Sequence, residues 1–311
     1  MPWRSKFERL FPDRVVLDFP LKNRTSYKTG GNADALVFPG APEEVVAIQD
    51  FAYQNALQCW ILGGGTNVLV HDSGLRGIVI ATDRLKRCEF EENLETITVS
   101  AQAGVPLKDL LALSFRKGWT GLEPVAGIPG TVGGALLGNA GGRFGSMGDI
   151  VADVAIVEGT SSMLVLKNSE VGFAYRTTLL AKPGRVVTGC TLNLVRSLPE
   201  RVAIGIRRSM SLRKGQPAGK ITAGCVFKNP TSGAAGEMLD RAGCKDLTLG
   251  GAQVSASHAN FIENARGATS KDIFLLALEC RKRVFGLTGE HLEFEIQFLG
   301  EPWRSDEKAV V

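Results

Sequence analysis

Histidine is scarce in this chain. His71, His258 and His291 are the only three in 311 residues, and none stands at a metal-ligand spacing from another. A Ser-His-Asp hydrolase therefore has little to draw on, and no metal centre is expected. The six cysteines, Cys59, Cys88, Cys190, Cys225, Cys244 and Cys280, are dispersed without a C-x-x-C pair. That spacing argues against a zinc site, a dithiol redox motif or a disulfide framework. No apolar run approaches the roughly 18 residues of a membrane-spanning helix, so no membrane partner is expected. The opening Met1-Pro2-Trp3-Arg4-Ser5-Lys6-Phe7-Glu8-Arg9 lacks the apolar stretch of a secretory signal, and a cytoplasmic location is expected. Basic runs are missing too. A net charge of +4 arises from 36 basic and 32 acidic residues that interleave, which speaks against nucleic acid and only weakly favours small anionic ligands. Neither a phosphate loop G-x-x-x-x-G-K-[ST] nor a dinucleotide fingerprint followed by an acid about 20 positions on is present.

Glycine, in contrast, is abundant: 37 residues, against a usual share of about 7%, and concentrated rather than spread. The first cluster is Leu62-Gly63-Gly64-Gly65-Thr66-Asn67-Val68-Leu69-Val70, read as a strand end, a tight turn and a new strand. Such turns admit positive φ, and their successive N–H groups form anion nests. Alone, the triplet reads equally well as a structural turn. The second cluster, Ala126-Gly127-Ile128-Pro129-Gly130-Thr131-Val132-Gly133-Gly134-Ala135 and on to Asn139-Ala140-Gly141-Gly142, holds seven glycines between apolar neighbours. In a plain helix or strand each would cost about 0.5–1 kcal/mol. Backbone lying against a large flat or charged cofactor accounts for them better than loop flexibility.

Around these clusters the hydrophobic pattern predicts mixed elements. Helices are expected at Pro42 to Cys59, Pro106 to Lys117 (with Gly118 as its stop), Arg201 to Arg213, Ala234 to Ala242 and Ser270 to Phe285. Strands are expected at Cys59 to Leu62, Gly77 to Thr82, Thr96 to Gln102, Val154 to Glu158, Met163 to Leu166, Arg185 to Leu194, His258 to Glu263 and Leu292 to Leu299. Helices and strands do not alternate strictly, so the class is α+β rather than a doubly wound sheet.

The two glycine clusters together resemble the FAD-binding unit of the vanillyl-alcohol-oxidase type flavoproteins. Further segments resemble the UDP-N-acetylenolpyruvoylglucosamine reductase family: Tyr27-Lys28-Thr29-Gly30-Gly31, Phe173-Ala174-Tyr175-Arg176, Ala223-Gly224-Cys225-Val226-Phe227-Lys228-Asn229-Pro230, Ser257-His258-Ala259-Asn260-Phe261-Ile262-Glu263-Asn264 and Leu292-Glu293-Phe294-Glu295-Ile296. They occur in family order from about Lys22 to Gly300, and the length resembles the shorter subtype. The resemblance implies a two-part FAD-binding unit, residues 1–84 and 85–198. It also implies a C-terminal α+β substrate domain, 199–300, with a polar tail, 301–311. It implies reduction of UDP-N-acetylglucosamine enolpyruvate in peptidoglycan precursor synthesis by a monomer. FAD would be the cofactor and NADPH the reductant, leaving before the substrate enters. FAD contacts would come from Tyr27, Gly63, Gly64, Gly65, Thr66, Asn67, Val68, Gly127, Ile128, Pro129, Gly130, Thr131, Gly133, Gly134, Asn139 and Gly141.

The same resemblance assigns the chemistry to Arg176, Cys225 and Glu295. An arginine is always cationic and grips a carboxylate with two bonds, which suits Arg176 to charge stabilisation. Cys225 stands where many members of the family carry a proton-donating serine. A thiol, with an ordinary pKa near 8.5, is a stronger acid than an alcohol and can take that role; read without the resemblance it would be a buried structural cysteine. Glu295 matches the family's C-terminal catalytic Glu. Glu293 would share its side in a strand, so alternation does not separate the two. Tyr175, Lys228 and Asn229 are expected to touch substrate, and Arg213 and Gln216 to reach its diphosphate. His258 reads as structural.

Overall fold

The computed structural model describes residues 2–159, 162–301 and 303. Contacts divide the chain into two compact units that interleave in sequence. Unit 1 comprises Met1–Leu17, Ala35–Gly64 and Gly77–Lys214; unit 2 comprises Asp18–Asp34, Gly65–Arg76 and Gly215–Val311. The mixture of elements is α+β, as the pattern implies.

Unit 1 is built on a large antiparallel sheet. Its long strand Arg185–Arg196 lies between Val151–Glu158 and Thr96–Gln102, with Ser162–Lys167 and Cys88–Glu92 outside them. The alternation of Thr96–Gln102 is realised residue by residue: Ile97, Val99 and Ala101 are buried and Thr96 and Ser100 exposed. Inward faces pack with Leu107, Leu110, Trp119, Val132 and Leu136 into one apolar core. The helix Leu107–Lys117 ends at Gly118, whose φ of +69° supplies the left-handed stop. A second core gathers Val45, Ile48 and Phe51 of the helix Pro42–Gln54 with Ile78 and Ile80. There Cys59–Leu62 pairs in parallel with Leu75–Ala81. The helix was expected to reach Cys59; it stops at Gln54 because the chain turns at Ala56, with φ +52°. Phe7 is enclosed against Phe11 and Phe51, with ring centroids 5.0 and 4.9 Å away. It belongs to a helix, Pro2–Leu10, outside the expected elements: Arg4, Lys6, Glu8 and Arg9 fill most of the positions between Trp3, Phe7 and Phe11.

Unit 2 centres on the helix Ser270–Thr288. Thr269 and Asp272 form a reciprocal capping box at its start, and Gly289 closes it with φ +74°. Ile273, Leu276, Ala277, Cys280 and Val284 face a core shared with Phe227, Leu239, Val254 and Ile262. Against it lie the helix Ala235–Arg241 and a small antiparallel sheet of Thr248–Leu249, Ala252–Val254 and Ile262–Asn264. Two expected strands are shorter than their patterns. His258 to Phe261 is a turn, closed by Phe261 N–H on the His258 carbonyl, and only Ile262–Asn264 is strand. Leu292 to Leu299 is extended but changes partner midway. Glu293 to Glu295 bond to Val226 and Lys228, whereas Gln297–Leu299 pairs in parallel with Val68–Val70. A segment shared between two neighbours keeps its alternation without one continuous ladder.

Candidate active site

Arg176 sits at the second corner of a two-residue hairpin in unit 1. Ala174 N–H donates to Thr177 O at 3.1 Å, and Thr177 N–H returns the bond at 3.3 Å. The turn gives Arg176 a φ of +53°. A non-glycine residue held there stores on the order of 1–3 kcal/mol, so the surroundings must over-determine it. They do. Asn139, itself at φ +42°, donates from Nδ2 to Ala174 O (3.1 Å) and accepts at Oδ1 from Gly148 N–H (2.9 Å). Asn168 donates from Nδ2 to the carbonyls of Gly148 and Val151, both at 2.8 Å. Arg176 Nη2 donates to Gly141 O at 3.1 Å. The guanidinium thus reaches a cavity of about 610 Å³ lined by Asn139, Gly141, Arg143, Asp149, Asn168 and the exposed Tyr175, among others.

Cys225 and Glu295 belong to unit 2, on neighbouring extended segments. Val226 O accepts from Glu295 N–H at 2.8 Å, and Lys228 N–H donates to Glu293 O at 2.8 Å. On the other side, Cys225 bridges to Phe261 and Val226 N–H donates to Asn260 O at 2.9 Å. The buried Asn260 side chain clamps both backbone groups of Phe227, accepting its N–H at 2.9 Å and donating to its carbonyl at 2.8 Å. Asn67 performs a similar service for Glu295, donating from Nδ2 to its carbonyl at 3.0 Å. Glu293 is separated from Glu295 by its surroundings. Its side chain is 78% exposed and pairs with Lys228 Nζ at 3.2 Å, while Glu295 is half-buried.

The remaining residues singled out from the sequence fall into distinct roles. Gly63 and Gly64 line a pocket of about 110 Å³ together with Thr82, Asp83, Lys86, Gly104, Pro106 and Thr131. The Thr131 hydroxyl is buried there without a hydrogen-bond partner, and a Cβ on Gly63 would come within 2.9 Å of it. An orphaned donor facing a glycine floor is what a bound phosphate would satisfy, so the pocket fits the diphosphate of FAD. Other glycines serve the chain itself. A Cβ on Gly65 would lie 1.9 Å from Arg24 O, on Gly133 2.9 Å from Ala103 Cβ, and on Gly141 2.3 Å from Gly145 O. Gly127 and Gly130 take φ of +80° and +121° on either side of Ile128 and Pro129, and Gly134 lies near Thr131. Thr66 precedes Asn67 in the link to the strand Val68–Val70.

Tyr27 is enclosed in the core of unit 2, beside Thr222, Ala223 and Cys225; burial pushes its phenol well above the usual range, so it stays neutral. Lys228 is held by Glu293, and Asn229 Oδ1 accepts Ala235 N–H at the start of a helix. Arg213 donates to Ser209 O and Pro124 O and packs beside Gly127. Gln216 is half-buried in a turn-rich segment. His258 is T-stacked on Phe261 with its pKa lowered by burial, which fits a structural role. Sequence reading passed over Asn168, Asn260, Lys86 and Arg143. Asn168 bonds 20 and 17 positions back and Asn260 33, separations that leave no local pattern, while Lys86 and Arg143 are notable only as pocket lining.

These features define a flavoprotein scaffold. The family model of an FAD binding domain matches residues 33–167, and that of the UDP-N-acetylenolpyruvoylglucosamine reductase C-terminal domain matches residues 216–299. The UDP-N-acetylenolpyruvoylglucosamine reductase of Moorella thermoacetica is 38% identical over 292 residues, 93% of this chain and 94% of that protein. That of Anaeromyxobacter sp. is 38% identical over 303 residues, 96% and 93% of the two chains. The crystal structure of the Thermus caldophilus enzyme superposes with a TM-score of 0.78 at 33% identity, covering 92% of this chain and 98% of that one. The chain belongs to the UDP-N-acetylenolpyruvoylglucosamine reductase family. Among the described residues no helix is long and apolar enough to cross a membrane, and no cluster of potential ligands could hold a metal.

Proposed function

We propose that the protein is a FAD-dependent reductase that converts UDP-N-acetylglucosamine enolpyruvate to UDP-N-acetylmuramate in peptidoglycan precursor synthesis, with NADPH as the electron source, acting as a cytoplasmic monomer. The observation that carries the mechanism is the Val226 bond to Glu295, which sets the thiol and the carboxylate on adjacent segments in family order. The pocket of Gly63, Gly64, Lys86 and Thr131 would hold the diphosphate of FAD, which when bound would supply the hydride. The other glycine-cluster residues, with Asn139, complete the proposed cofactor set, Gly65, Gly133 and Gly141 through backbone groups alone because their Cα faces pack on the chain; Tyr27, wholly enclosed in unit 2, has no surface to offer it.

The protein's own groups handle charge and the proton. Arg176 takes the substrate carboxylate and offsets the negative charge that builds as the double bond accepts hydride. Cys225 gives its Sγ proton to the neighbouring carbon, and water returns one to the thiolate afterwards. Glu295 holds the reacting end through a hydrogen bond. Tyr175, Lys228, Asn229, Arg213 and Gln216 complete the proposed substrate contacts. Residues 1–84 and 85–198 form two FAD-side lobes and residues 199–300 the substrate domain in this reading; unit 1 does hold two apolar cores, the second of which gathers residues 7–80 together with Leu85, Val157 and Val186.

The test is anaerobic stopped-flow absorbance of the flavin. NADPH should bleach it, and UDP-N-acetylglucosamine enolpyruvate should restore the colour far faster than oxygen does. Bleaching without recovery would reassign the chain to an oxidase or a binding protein on the same fold. Light scattering reporting a dimer would overturn the monomer.

A further inference from the structure

Of the three tyrosines, Tyr53 and Tyr175 are exposed, whereas Tyr27 carries its hydroxyl into the core of unit 2 at 0% exposure. Its backbone is firmly placed. Asn264 Nδ2 donates to Tyr27 O at 2.8 Å, and the same residue donates its N–H to Ile221 O at 2.8 Å and accepts Ala268 N–H at Oδ1, 2.7 Å away. One asparagine thus ties the Tyr27 segment to the stretch that runs from Ile221 to Cys225. Thr25 Oγ1 closes the turn around Tyr27 by donating to Thr29 O at 2.8 Å. The ring shares a core with Ala223 and Val226, and its hydroxyl faces the Thr222 side chain and the Ala223 backbone, with Cys225 within electrostatic reach. Yet neither the Tyr27 nor the Thr222 hydroxyl meets a partner at hydrogen-bonding geometry among the described residues. Phenylalanine would fill such a site without cost, whereas a buried hydroxyl without a partner is destabilising. Buried polar groups are satisfied in the large majority of cases, so two orphaned hydroxyls beside the proposed proton donor call for a chemical use.

We propose that Tyr27, with Thr222 beside it, is a positioning residue whose hydroxyl stabilises the Cys225 thiolate left after proton donation. The proposal rests on the functional reading above. Before the step Cys225 is a neutral thiol, a weak acceptor that gains little from a nearby donor. Once its Sγ proton has gone to the substrate carbon, the sulfur holds a full negative charge beside the apolar core of Ala223, Val226 and Phe227. A hydroxyl donor is then worth more, since hydrogen bonds to charged groups are roughly twice as strong as neutral ones. An interaction that strengthens only as charge develops lowers the barrier instead of stabilising the resting enzyme. Burial pushes the phenol well above the usual range, so Tyr27 keeps its own proton throughout and donates a hydrogen bond without transferring it. Water, not Tyr27, returns the proton to the sulfur. Lys228, the cation on the same segment as Cys225, is engaged by Glu293 at 3.2 Å.

The experiment compares wild-type holoenzyme with Tyr27→Phe, Thr222→Val and Thr222→Ser. It reads the denaturation midpoint, the pH dependence of Cys225 alkylation by iodoacetamide, and single-turnover flavin reoxidation by the enolpyruvyl sugar nucleotide. Tyr27→Phe should hold or raise the midpoint, because the one atom it removes is an unsatisfied one. A thiolate that loses a donor forms at higher pH, so the alkylation profile should move up by about one pH unit. The thiol is then a weaker acid, and reoxidation should fall about tenfold while bleaching by NADPH stays as in wild type. The ionisable groups on the flanking segments are Lys28, Glu295, the Glu293–Lys228 pair, His258 and the Glu263–Lys220 pair. Wild type and variant share them all, so the difference belongs to the hydroxyl. Thr222→Val should reproduce part of both losses, and Thr222→Ser, which keeps a hydroxyl, should restore them. A midpoint below wild type in Tyr27→Phe would make the hydroxyl a structural bond and overturn the role, as would an unchanged alkylation profile. Wild-type enzyme that the sugar nucleotide fails to reoxidise would sink the functional reading, while the alkylation profile still decides whether Tyr27 acts on the thiol.

Discussion

The two units mount the side chains proposed to react, Arg176 in one and Cys225 and Glu295 in the other, by opposite means. In unit 2, Cys225 and Glu295 ride on a backbone ladder: Val226 and Lys228 bond to Glu295 and Glu293, and Asn260 and Asn67 clamp the flanks. In unit 1, Arg176 stands on a strained hairpin fixed by side chains reaching in from elsewhere, Asn139 above all. A ladder is part of the fold, so damage to it spreads into the core around Phe227. A pinned hairpin is an appendage, and its geometry can be lost while the fold survives. The lesson is a split expectation: clamp substitutions in unit 2 should act on stability first, and those around the hairpin on chemistry first.

The largest effect concerns the ladder's cargo. Cys225→Ala should slow flavin reoxidation by the enolpyruvyl substrate by about 10²–10⁴-fold, the usual share of a positioned acid. Bleaching by NADPH should stay close to wild type, with both phases read in one stopped-flow record. Normal reoxidation in this variant would remove the thiol from the mechanism.

Next comes the contrast between the two asparagines. Asn260→Ala leaves the buried N–H and carbonyl of Phe227 without partners, which should cost about 2–4 kcal/mol and show as a lowered denaturation midpoint. Asn139→Ala removes two bonds from a more open region and should cost about 1–2 kcal/mol, yet reoxidation by substrate should fall at least tenfold as Arg176 loses its turn. Melting curves and single-turnover rates on the same preparations would expose the reverse ordering, which would break the comparison.

A labelling experiment sharpens it further. Burial pushes the Cys59 thiol up to about 11, raises Cys88, and takes Cys190 beyond the titratable range. Cys280 is raised first by its hydrogen bond with Cys244 and then by burial, and Cys244 is fully enclosed. A thiolate is the reacting form, so at pH 8 iodoacetamide should modify half-buried Cys225 first, as read by peptide mass spectrometry. Faster modification of Cys59 or Cys88 would contradict this.

How much of this was legible beforehand follows the same division. Elements whose cause is local could be read: the alternation of Thr96–Gln102, the glycine stop at Gly118 and the apolar face of Ser270–Thr288. The resemblance named Arg176, Cys225 and Glu295, because it records motifs. What holds those residues was hidden. Asn139 meets Ala174 35 positions away, and Asn260 meets Phe227 33 positions away. No periodicity marks such pairings. The glycines show the same limit: their density signals close backbone approach, yet only geometry tells that Gly63 faces an orphaned hydroxyl while Gly133 makes room for Ala103.

The smallest expected effect separates two carboxylates that alternation left equivalent. Glu293 lies two positions from Glu295, but its side chain is largely in solvent, with an ion pair to Lys228 that is itself a quarter exposed. Such a pair contributes on the order of 0–1 kcal/mol, so Glu293→Gln should barely move the melting temperature and should change turnover by about twofold or less. Glu295→Gln keeps the shape and the Val226 bond, since that bond uses only backbone, and should still lower turnover by about 10²-fold or more. Because the ladder carries both residues equally, a difference in rate between the two variants at matched stability isolates side-chain chemistry from mounting. Similar losses at both positions would mean that the ladder itself, rather than the Glu295 carboxylate, is what the reaction depends on.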